Sequence, residues 1–408
     1  MPRTSSHSFR STQLRNLAAA VGLAALLALT TTLPVAGALE PTAPEPLRRA
    51  QKLRAQDIEA RADVVALGWR EGGQPDQLYL GLSRDGGASF LRGSGRLRKF
   101  PLAGLAGRGL SLALCGRGDV RSVWAVTAVR ARNDRAGDAD VLLTRRGLAR
   151  PARDAGQLFI TTPTAKRQVR EADVACVGDH HLAIAWLEKK DGRVRARLAI
   201  RRLRRTGQSR PVRAYNLGPA QMRGGIAVAA TPDAVHVVWT KNDRQHLRYE
   251  RFAVRDRKAS RFERGMARGL AWRDVERPVL TARGRKVVAA YSDAGDLKVK
   301  WSDDAGATFG SAQRVASGTP RAPARARSIA LSGRRVVIAA IDRSSGSRVP
   351  TRIESADLGG SWSRLVFGND GVRLAALEKI DYSRSRLKVL LHDDGTRVDT
   401  LRARHEVP

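Results

Sequence analysis

Short apolar runs recur along the chain at intervals of 50 to 59 residues. Each run is rich in Val, Ile, Leu and Ala, with little polar alternation, which is typical of a strand buried on both faces. A repeat of this length predicts an array of similar units rather than two ordinary domains. The seven runs end at Trp69, Thr127, Trp186, Trp239, Tyr291, Ile341 and Leu391.

Each run has strand-like segments on both sides. A segment of small residues precedes it, such as Ser111–Gly116 or Ile226–Ala230, and a polar turn and a further strand follow it. Three or four strands per repeat, joined as meanders, predict an all-β propeller whose small residues lie innermost, where the blades converge. The count favours seven four-stranded blades, with six as the alternative. Leu47–Gln56 is expected to supply the last strand and close the ring.

The first residues have the pattern of a secretory signal peptide. Three arginines precede the apolar segment Leu17–Leu29, and the small residues Ala36–Ala38 follow it. This pattern predicts a signal peptide at residues 1–38, a Pro-rich spacer at 39–46 and a single propeller domain at 47–408. The mature protein is expected in the periplasm or outside the cell, without integral membrane association. An uncleaved anchor is the alternative.

The two cysteines occupy matching repeat positions. Cys115 and Cys176 both lie near the ends of predicted inner strands, which neighbouring blades bring side by side. In an oxidising compartment the pair can form a disulfide, and two separate buried thiols are the alternative. The seven histidines lack metal-ligand spacing, and the sequence predicts no metal and no cofactor.

The chain is strongly basic. It has 74 Lys and Arg against 39 Asp and Glu, for a formal charge of +35. This excess favours a polyanionic partner such as an acidic glycan, lipopolysaccharide or nucleic acid, although arginines scattered over a solvated surface also fit it. The densest stretch, Arg193–Arg213, lacks the interleaved aromatic residues of a surface that stacks nucleic-acid bases.

One set of arginines follows the repeat. An arginine stands just before each predicted inner strand, and in a propeller these positions surround one mouth of the central channel. Converging guanidinium groups favour a carboxylate or phosphate ligand. We therefore assign the ligand site to Arg54, Arg108, Arg170, Arg223, Arg277, Arg327 and Arg373.

Three octets share the pattern Ser-x-Asp-x-Gly-x-Ser/Thr-aromatic. They are Ser83–Phe90, Ser302–Phe309 and Ser355–Trp362. The aspartates Asp85, Asp304 and Asp357 are expected to accept hydrogen bonds from turn amides, and the glycine two places on can adopt positive φ. The aromatic residue then begins the next strand. This pattern predicts structural hairpin turns and not catalytic residues.

The octets resemble the Asp-box (BNR) repeats of the sialidase-like β-propellers. The resemblance implies a glycan-related function and a candidate active site. By position, Arg54 and Arg70 resemble carboxylate-binding arginines, and Asp76 resembles the acid. Glu276 and Tyr291 would be the glutamate and tyrosine, although the family's tyrosine opens the inner strand of its last repeat, where this chain has Gly371–Arg373.

The sequence therefore favours a binding propeller over an enzyme. We expect an exported Asp-box propeller that binds an anionic extracellular ligand, with the seven arginines and Arg70 as ligand-binding residues. A sialidase-like exo-glycosidase using Asp76, Glu276 and Tyr291 is the first alternative, and a protein-interaction scaffold is the second. The oligomeric state cannot be predicted from these patterns.

Overall fold

The structure is a computed structural model of the chain. It describes residues 45–50, 53–61, 64–71, 77–84, 98–101, 105–116, 122–131, 139–147, 156–160, 168–203, 210–243, 246–256, 261–265, 268–271, 275–342, 349–366, 374–383, 386–393 and 399–406. All regular elements in these ranges are β-strands, as the apolar pattern predicts. No helix in the described ranges is long and apolar enough to cross a membrane.

The strands follow one another with short connections. The first thirteen are β1 (Glu45–Ala50), β2 (Leu53–Arg61), β3 (Val64–Glu71), β4 (Gln77–Ser83), β5 (Arg98–Pro101), β6 (Leu105–Cys115), β7 (Ser122–Ala131), β8 (Ala139–Gly147), β9 (Gly156–Phe159), β10 (Gln168–Val177), β11 (His181–Lys190), β12 (Arg193–Arg202) and β13 (Arg210–Pro219). The others are β14 (Ile226–Thr231), β15 (Ala234–Thr240), β16 (Leu247–Asp256), β17 (Arg261–Arg264), β18 (Arg268–Ala271), β19 (Glu276–Arg283), β20 (Lys286–Asp293), β21 (Asp296–Ser302), β22 (Gln313–Ala316), β23 (Arg325–Ser332), β24 (Arg335–Asp342), β25 (Val349–Ser355), β26 (Ser363–Val366), β27 (Leu374–Ser383), β28 (Arg386–Asp393) and β29 (Asp399–Glu406).

Antiparallel pairing groups the described strands into seven sheets, which are the blades of a β-propeller. Blades one to six are β2–β5, β6–β9, β10–β13, β14–β17, β19–β22 and β23–β26, and β18 pairs with β16 at the edge of blade four. Blade seven consists of β27, β28, β29 and β1. Each of the seven apolar runs corresponds to the second strand of one blade.

The second strands are buried on both faces, which explains their continuous apolar pattern. Every residue of β15 is buried, and β20 and β24 are buried beyond their first residue. Side chains from neighbouring blades meet in shared cores; for example, Trp239 and Phe252 of blade four lie in one cluster with Leu198 of blade three. The prediction of buried strands at this repeat position is confirmed.

The innermost strands form a closed circle. Each of β2, β6, β10, β14, β19, β23 and β27 contacts the next, and β27 contacts β2. Their small residues, including Ala175, Ala229 and Ala282, line the central channel. Small side chains are needed at these positions because seven strands converge on one axis.

Ring closure differs in its boundaries from the expectation. The strand that completes blade seven is β1, Glu45–Ala50, which pairs antiparallel with β29, so that Glu45 faces Ala403. Leu53–Gln56, the later part of the expected closing segment, belongs instead to β2, the inner strand of blade one. The apolar pattern could not separate the two strands because only two residues lie between them.

Candidate functional site

Five inner strands, β2, β6, β10, β19 and β23, are irregular near their starts; β27 has two similar shifts, and β14 has none. At each irregularity the inner strand carries one residue more than its partner, which is the definition of a β-bulge. Such a bulge re-aims side chains and is common beside binding sites. The shifts fall between Leu53 and Ala55, Arg108 and Ser111, Val169 and Ala172, Glu276 and Val279, and Ala326 and Ser328.

The repeated arginines occupy these bulges. Arg54, Arg170, Arg277 and Arg327 are residues that the register skips, and Arg108 immediately precedes the skipped pair in β6. We expected these arginines just before the inner strands, and this placement is wrong by a few residues. They lie inside the strands, where the extra residue of the bulge interrupts the alternation of side chains that the sequence reading assumed.

Arg277 has an unusual backbone. Its φ angle is 47°, in the left-handed region that non-glycine residues rarely adopt. Its amide donates a hydrogen bond to the Gly224 carbonyl at 2.5 Å, and a Cβ on Gly225 would lie 2.9 Å from the Arg277 Cα. The absence of a side chain at Gly225 therefore lets the bulge of blade five pack against the start of blade four.

Sequence reasoning missed a carboxylate that interacts electrostatically with two of the arginines. Glu171 follows Arg170 in the bulge of β10, and its carboxylate accepts a hydrogen bond from the Ile226 amide of blade four. Burial raises the pKa of Glu171 above its usual value, while the positive charges of Arg277 and Arg170 act in the opposite direction. Arginines from blades three and five thus act on one carboxylate, although more than 100 residues separate them.

An ion pair extends this cluster to blade six. The Arg325 Nη2 atom of β23 lies 2.7 Å from the Glu276 Oε2 atom of β19, and both side chains are partly exposed. We define the mouth cluster as Arg170, Glu171, Glu276, Arg277 and Arg325. It carries three guanidinium groups and two carboxylates, so it is net positive even with both carboxylates ionised. Such groups can hold an anion by charge-assisted hydrogen bonds.

The other predicted ligand residues fall into three groups. Arg223, which precedes β14, is exposed, and Arg327 is partly buried. The strand positions of Arg54 and Arg108 are described but their side chains are not, and Arg373 lies outside the described residues. Arg70, at the end of β3, is only 4% exposed, so its guanidinium lies inside the blade and not on an open surface.

Two residues of the sialidase-like alternative, Tyr291 and Glu276, have side chains in the part of the chain that the structure describes. Tyr291 is completely buried, and burial, followed by the charge of Asp293, raises the pKa of its hydroxyl far above the usual range. A nucleophile must reach the substrate, so the burial of Tyr291 gives the catalytic assignment of this residue no support. Glu276 pairs with Arg325, and Asp76 lies outside the described residues.

Below the mouth, four successive blades are joined by three polar side chains that we call the belt: Asp57, Ser111 and Asp173. Asp57 of β2 accepts a hydrogen bond from the Leu112 amide at 2.7 Å, and Asp173 of β10 accepts one from the Val228 amide at 2.8 Å. Ser111 of β6 donates to Asp173 and accepts from the Val174 amide at 3.3 Å. Each belt residue therefore binds a backbone amide of the next inner strand. The two strands belong to different blades and share no backbone pairing of their own.

The two cysteines lie near the far ends of β6 and β10. Their sulfur atoms are 2.28 Å apart and their Cα atoms 5.4 Å apart. The Cα separation is in the range of disulfide-bonded pairs, and the strands are neighbours around the channel, as expected from the repeat. Across the described residues, no three His, Cys, Asp or Glu side chains cluster closely enough to hold a metal ion.

The Asp304 turn at the end of β21 has the expected chemistry. Asp304 accepts hydrogen bonds from the Thr308 amide at 2.8 Å and from the Thr308 hydroxyl at 2.6 Å. These hydrogen bonds hold the pKa of Asp304 well below its usual range. The bond from the Thr308 hydroxyl has the largest effect, and the bond from the Thr308 amide comes second. Gly306 has φ 81°, and a Cβ there would clash with the Tyr249 hydroxyl of blade four.

The Asp357 turn repeats this arrangement in blade six. Asp357 accepts from the Gly360 amide at 2.9 Å, and Gly359 has φ 102°. The first serine of these two octets has a role that the sequence analysis missed. Its hydroxyl donates to the aspartate and accepts the glycine amide, at 2.8 Å in the Asp304 turn and 2.9 Å in the Asp357 turn. Asp85 lies outside the described residues.

Comparison with known proteins finds similarity in three dimensions only. A Trypanosoma rangeli sialidase is 10% identical, with a TM-score of 0.45, over 77% of this chain and 56% of that one. The phage phi92 endosialidase is 10% identical, with a TM-score of 0.45, over 90% and 68%. The six-bladed, fucose-recognising Aleuria aurantia lectin is 9% identical, with a TM-score of 0.44, over 77% and 95%.

The chain therefore spans just over half the length of the Trypanosoma rangeli sialidase. No family model matches the sequence, and no curated protein matches it. Similarity at this level concerns the fold and does not extend to binding residues.

Proposed function

We propose that this protein is an exported propeller that binds an anionic glycan at the arginine-bearing mouth of its channel, without catalysing a reaction. One observation carries the proposal: arginine recurs at the bulges of the inner strands. Four bulges place an arginine among the skipped residues. A bulge is where a strand presents a side chain out of its normal alternation, so the same residue type there indicates a shared role.

The charges of the mouth support an anion as the ligand. The mouth cluster has an excess of guanidinium groups, and Arg223 adds an exposed one beside it. Arginine binds carboxylate and sulfate groups through two parallel hydrogen bonds, which gives orientation as well as affinity. The ion pair with Glu276 holds Arg325 in place, which reduces the entropy that ligand binding must overcome.

A titration with defined glycans tests the proposal. Polygalacturonate and polysialic acid are the anionic probes, and dextran is the neutral control. The Arg170→Gln/Arg277→Gln double variant is expected to weaken anionic binding by about 1.5–3 kcal/mol for each charged hydrogen bond lost. The matched control is Arg202→Gln/Arg314→Gln, which removes the same charge from exposed positions on β12 and β22.

The outcomes distinguish a specific binding site at the mouth from non-specific binding to positive charge spread over the surface. If both double variants lose affinity equally, the bulge position is not special and the proposal fails. Binding through a diffuse coat also falls more steeply with salt than binding at a partly desolvated mouth. Release of a fluorogenic group from a sialoside by the purified protein would contradict the absence of catalysis.

A further inference from the structure

A cavity of about 650 Å³ occupies the channel at the end opposite the mouth cluster. It is lined by the later halves of six inner strands, from β2, β6, β10, β14, β19 and β23. Small-molecule sites in proteins have volumes of about 300–1,000 Å³. The cavity therefore has the size of a ligand site, and none of the mouth-cluster residues lines it.

The walls of this cavity are fixed before any ligand binds. Ser111 and Asp173, which belong to the belt, lie in the wall, and their hydrogen bonds tie β6, β10 and β14 together. Cys176 also lies in the wall, beside its partner Cys115. A preformed cavity binds a ligand without the cost of ordering loops, which favours a small rigid molecule.

The lining is mixed and exposes more polar than apolar surface. Leu280, Ile329 and Leu331 contribute part of the apolar surface, and the hydroxyl-bearing Thr281 and the carboxylate-bearing Glu59 are also in the lining. A mixed lining suits a ligand that carries both hydroxyl groups and C–H surface, because placed polar groups fix the orientation of a small molecule. Carboxylate and hydroxyl groups hydrogen-bond sugar hydroxyls, and aliphatic side chains pack against the C–H face of a sugar ring.

The two arginines of the lining differ in their partners. Arg61 lies 2.8 Å from Asp179 in an ion pair. Arg283 is exposed, and its Nη1 atom lies 3.4 Å from the Leu331 carbonyl and 3.5 Å from the Ser332 hydroxyl. Both distances are at the long limit of hydrogen bonding, and both acceptors are uncharged. The guanidinium group of Arg283 can therefore turn to a carboxylate that enters the cavity.

We propose that this cavity is a second binding site, which takes a small polyhydroxylated carboxylate of the uronic acid class. The ligand's carboxylate binds Arg283 at the rim. Its hydroxyl groups bind Thr281 and Glu59, and its ring packs against Leu280 and Ile329. This site is independent of the mouth, because the residues of the two lie at opposite ends of the same strands.

Calorimetric titration of the full chain with D-galacturonate tests the proposal, with D-galactose as the neutral match. Galacturonate is expected to bind at least tenfold more tightly than galactose. Arg283→Gln is expected to weaken galacturonate binding at least tenfold. Arg285→Gln, an exposed arginine on the same turn that does not line the cavity, is expected to change it less than twofold.

Two further variants locate the site within the molecule. Ala282→Leu, which fills part of the cavity, is expected to weaken galacturonate binding at least tenfold, with thermal unfolding as the check on folding. Arg170→Gln/Arg277→Gln is expected to leave it unchanged, so failure of the glycan proposal and failure of this one are distinguishable. Equal effects of Arg283→Gln and Arg285→Gln, equal binding of both sugars, or no binding at millimolar concentration would overturn the proposal.

Discussion

The inner strands of this propeller have two regions that carry similar polar residues with opposite consequences. At the mouth, the bulges hold Arg170, Glu171 and Arg277, and Arg277 has a strained φ of 47°. A few residues along the same strands, the belt residues Asp57 and Asp173 lie in regular β structure and bind amides of the next blade. The belt residues form hydrogen bonds between blades. The mouth residues are charged groups that lie at β-bulges.

The contrast between belt and mouth indicates that one inner strand carries residues for stability and residues for binding at different positions. A buried carboxylate that accepts amide hydrogen bonds stabilises the fold, because its loss leaves those donors without partners. A net positive cluster at a bulge adds repulsion and strain, which a fold tolerates when the cluster serves another purpose. Variants of the belt are therefore expected to change unfolding, and variants of the mouth are expected to change binding.

The largest expected effect is on the cysteine pair at the far end of the belt strands. We expect thiol labelling of the unreduced, unfolded protein to find no free thiol. Reduction is then expected to lower the free energy of unfolding by up to about 4 kcal/mol, because the bond closes a loop of 61 residues. Urea unfolding with and without reductant measures this change. Two reactive thiols before reduction would contradict it.

Loss of a belt carboxylate is expected to come next. Asp173→Ala removes the acceptor of the Val228 and Val174 amides and should lower the free energy of unfolding by about 2–3 kcal/mol. Asp303→Ala, with a side chain that is 65% exposed, is the matched control and should change it little. Urea unfolding measures both. Loss of polygalacturonate binding by a folded Asp173→Ala would break the separation of belt from mouth.

A single mouth variant should move stability and binding in opposite directions. Arg277→Gly relieves the left-handed backbone and should raise the free energy of unfolding by about 0.5–1 kcal/mol. It should also weaken polygalacturonate binding. Asp191 also has a left-handed backbone, at φ 49°, on the exposed turn after β11. Asp191→Gly is therefore the control: it relieves the same kind of backbone strain and should leave binding unchanged. Weaker stability of Arg277→Gly would show that the arginine holds the fold together.

The smallest effect is a pH dependence at Glu171. Because burial raises its folded-state pKa, Glu171 favours the folded state when protonated, and its contribution to stability falls as the pH rises from the unfolded value of 4.5 through the raised value. Glu171→Gln keeps an acceptor for the Ile226 amide and should be more stable than the wild type at neutral pH. The difference should disappear below the unfolded pKa. Unfolding measured across this range tests the sign.

The sequence predicted the fold well where burial imposes a simple pattern. The second strands are continuous apolar runs because both faces are covered, so Val287–Tyr291 could be recognised without neighbours. The turns at Asp304 and Asp357 could be predicted as well, because their hydrogen bonds stay within an octet. Local patterns of this kind need no knowledge of which blades meet.

The candidate site was harder to predict because it depends on contacts between blades. Glu171 stands out only once blade five brings Arg277 towards it. Arg201 belongs to the densest basic stretch of the sequence, yet it is 7% exposed on β12, because a strand between two others buries even charged positions. Tyr291 matched a catalytic pattern by position, but it fills the core between blades.

The pairing of β1 with β29 sets the order in which this molecule can be completed. Residues 45–50 are synthesised early, and the strand that holds them is made more than 340 residues later. Until β29 is made, the backbone groups of β1 have no ladder partner in blade seven. Nucleation within single blades needs only nearby residues, whereas this last pairing joins the most distant ones and is expected to be slow. Closure of the ring therefore depends on β29: a chain truncated anywhere before residue 399 cannot make this closing pair.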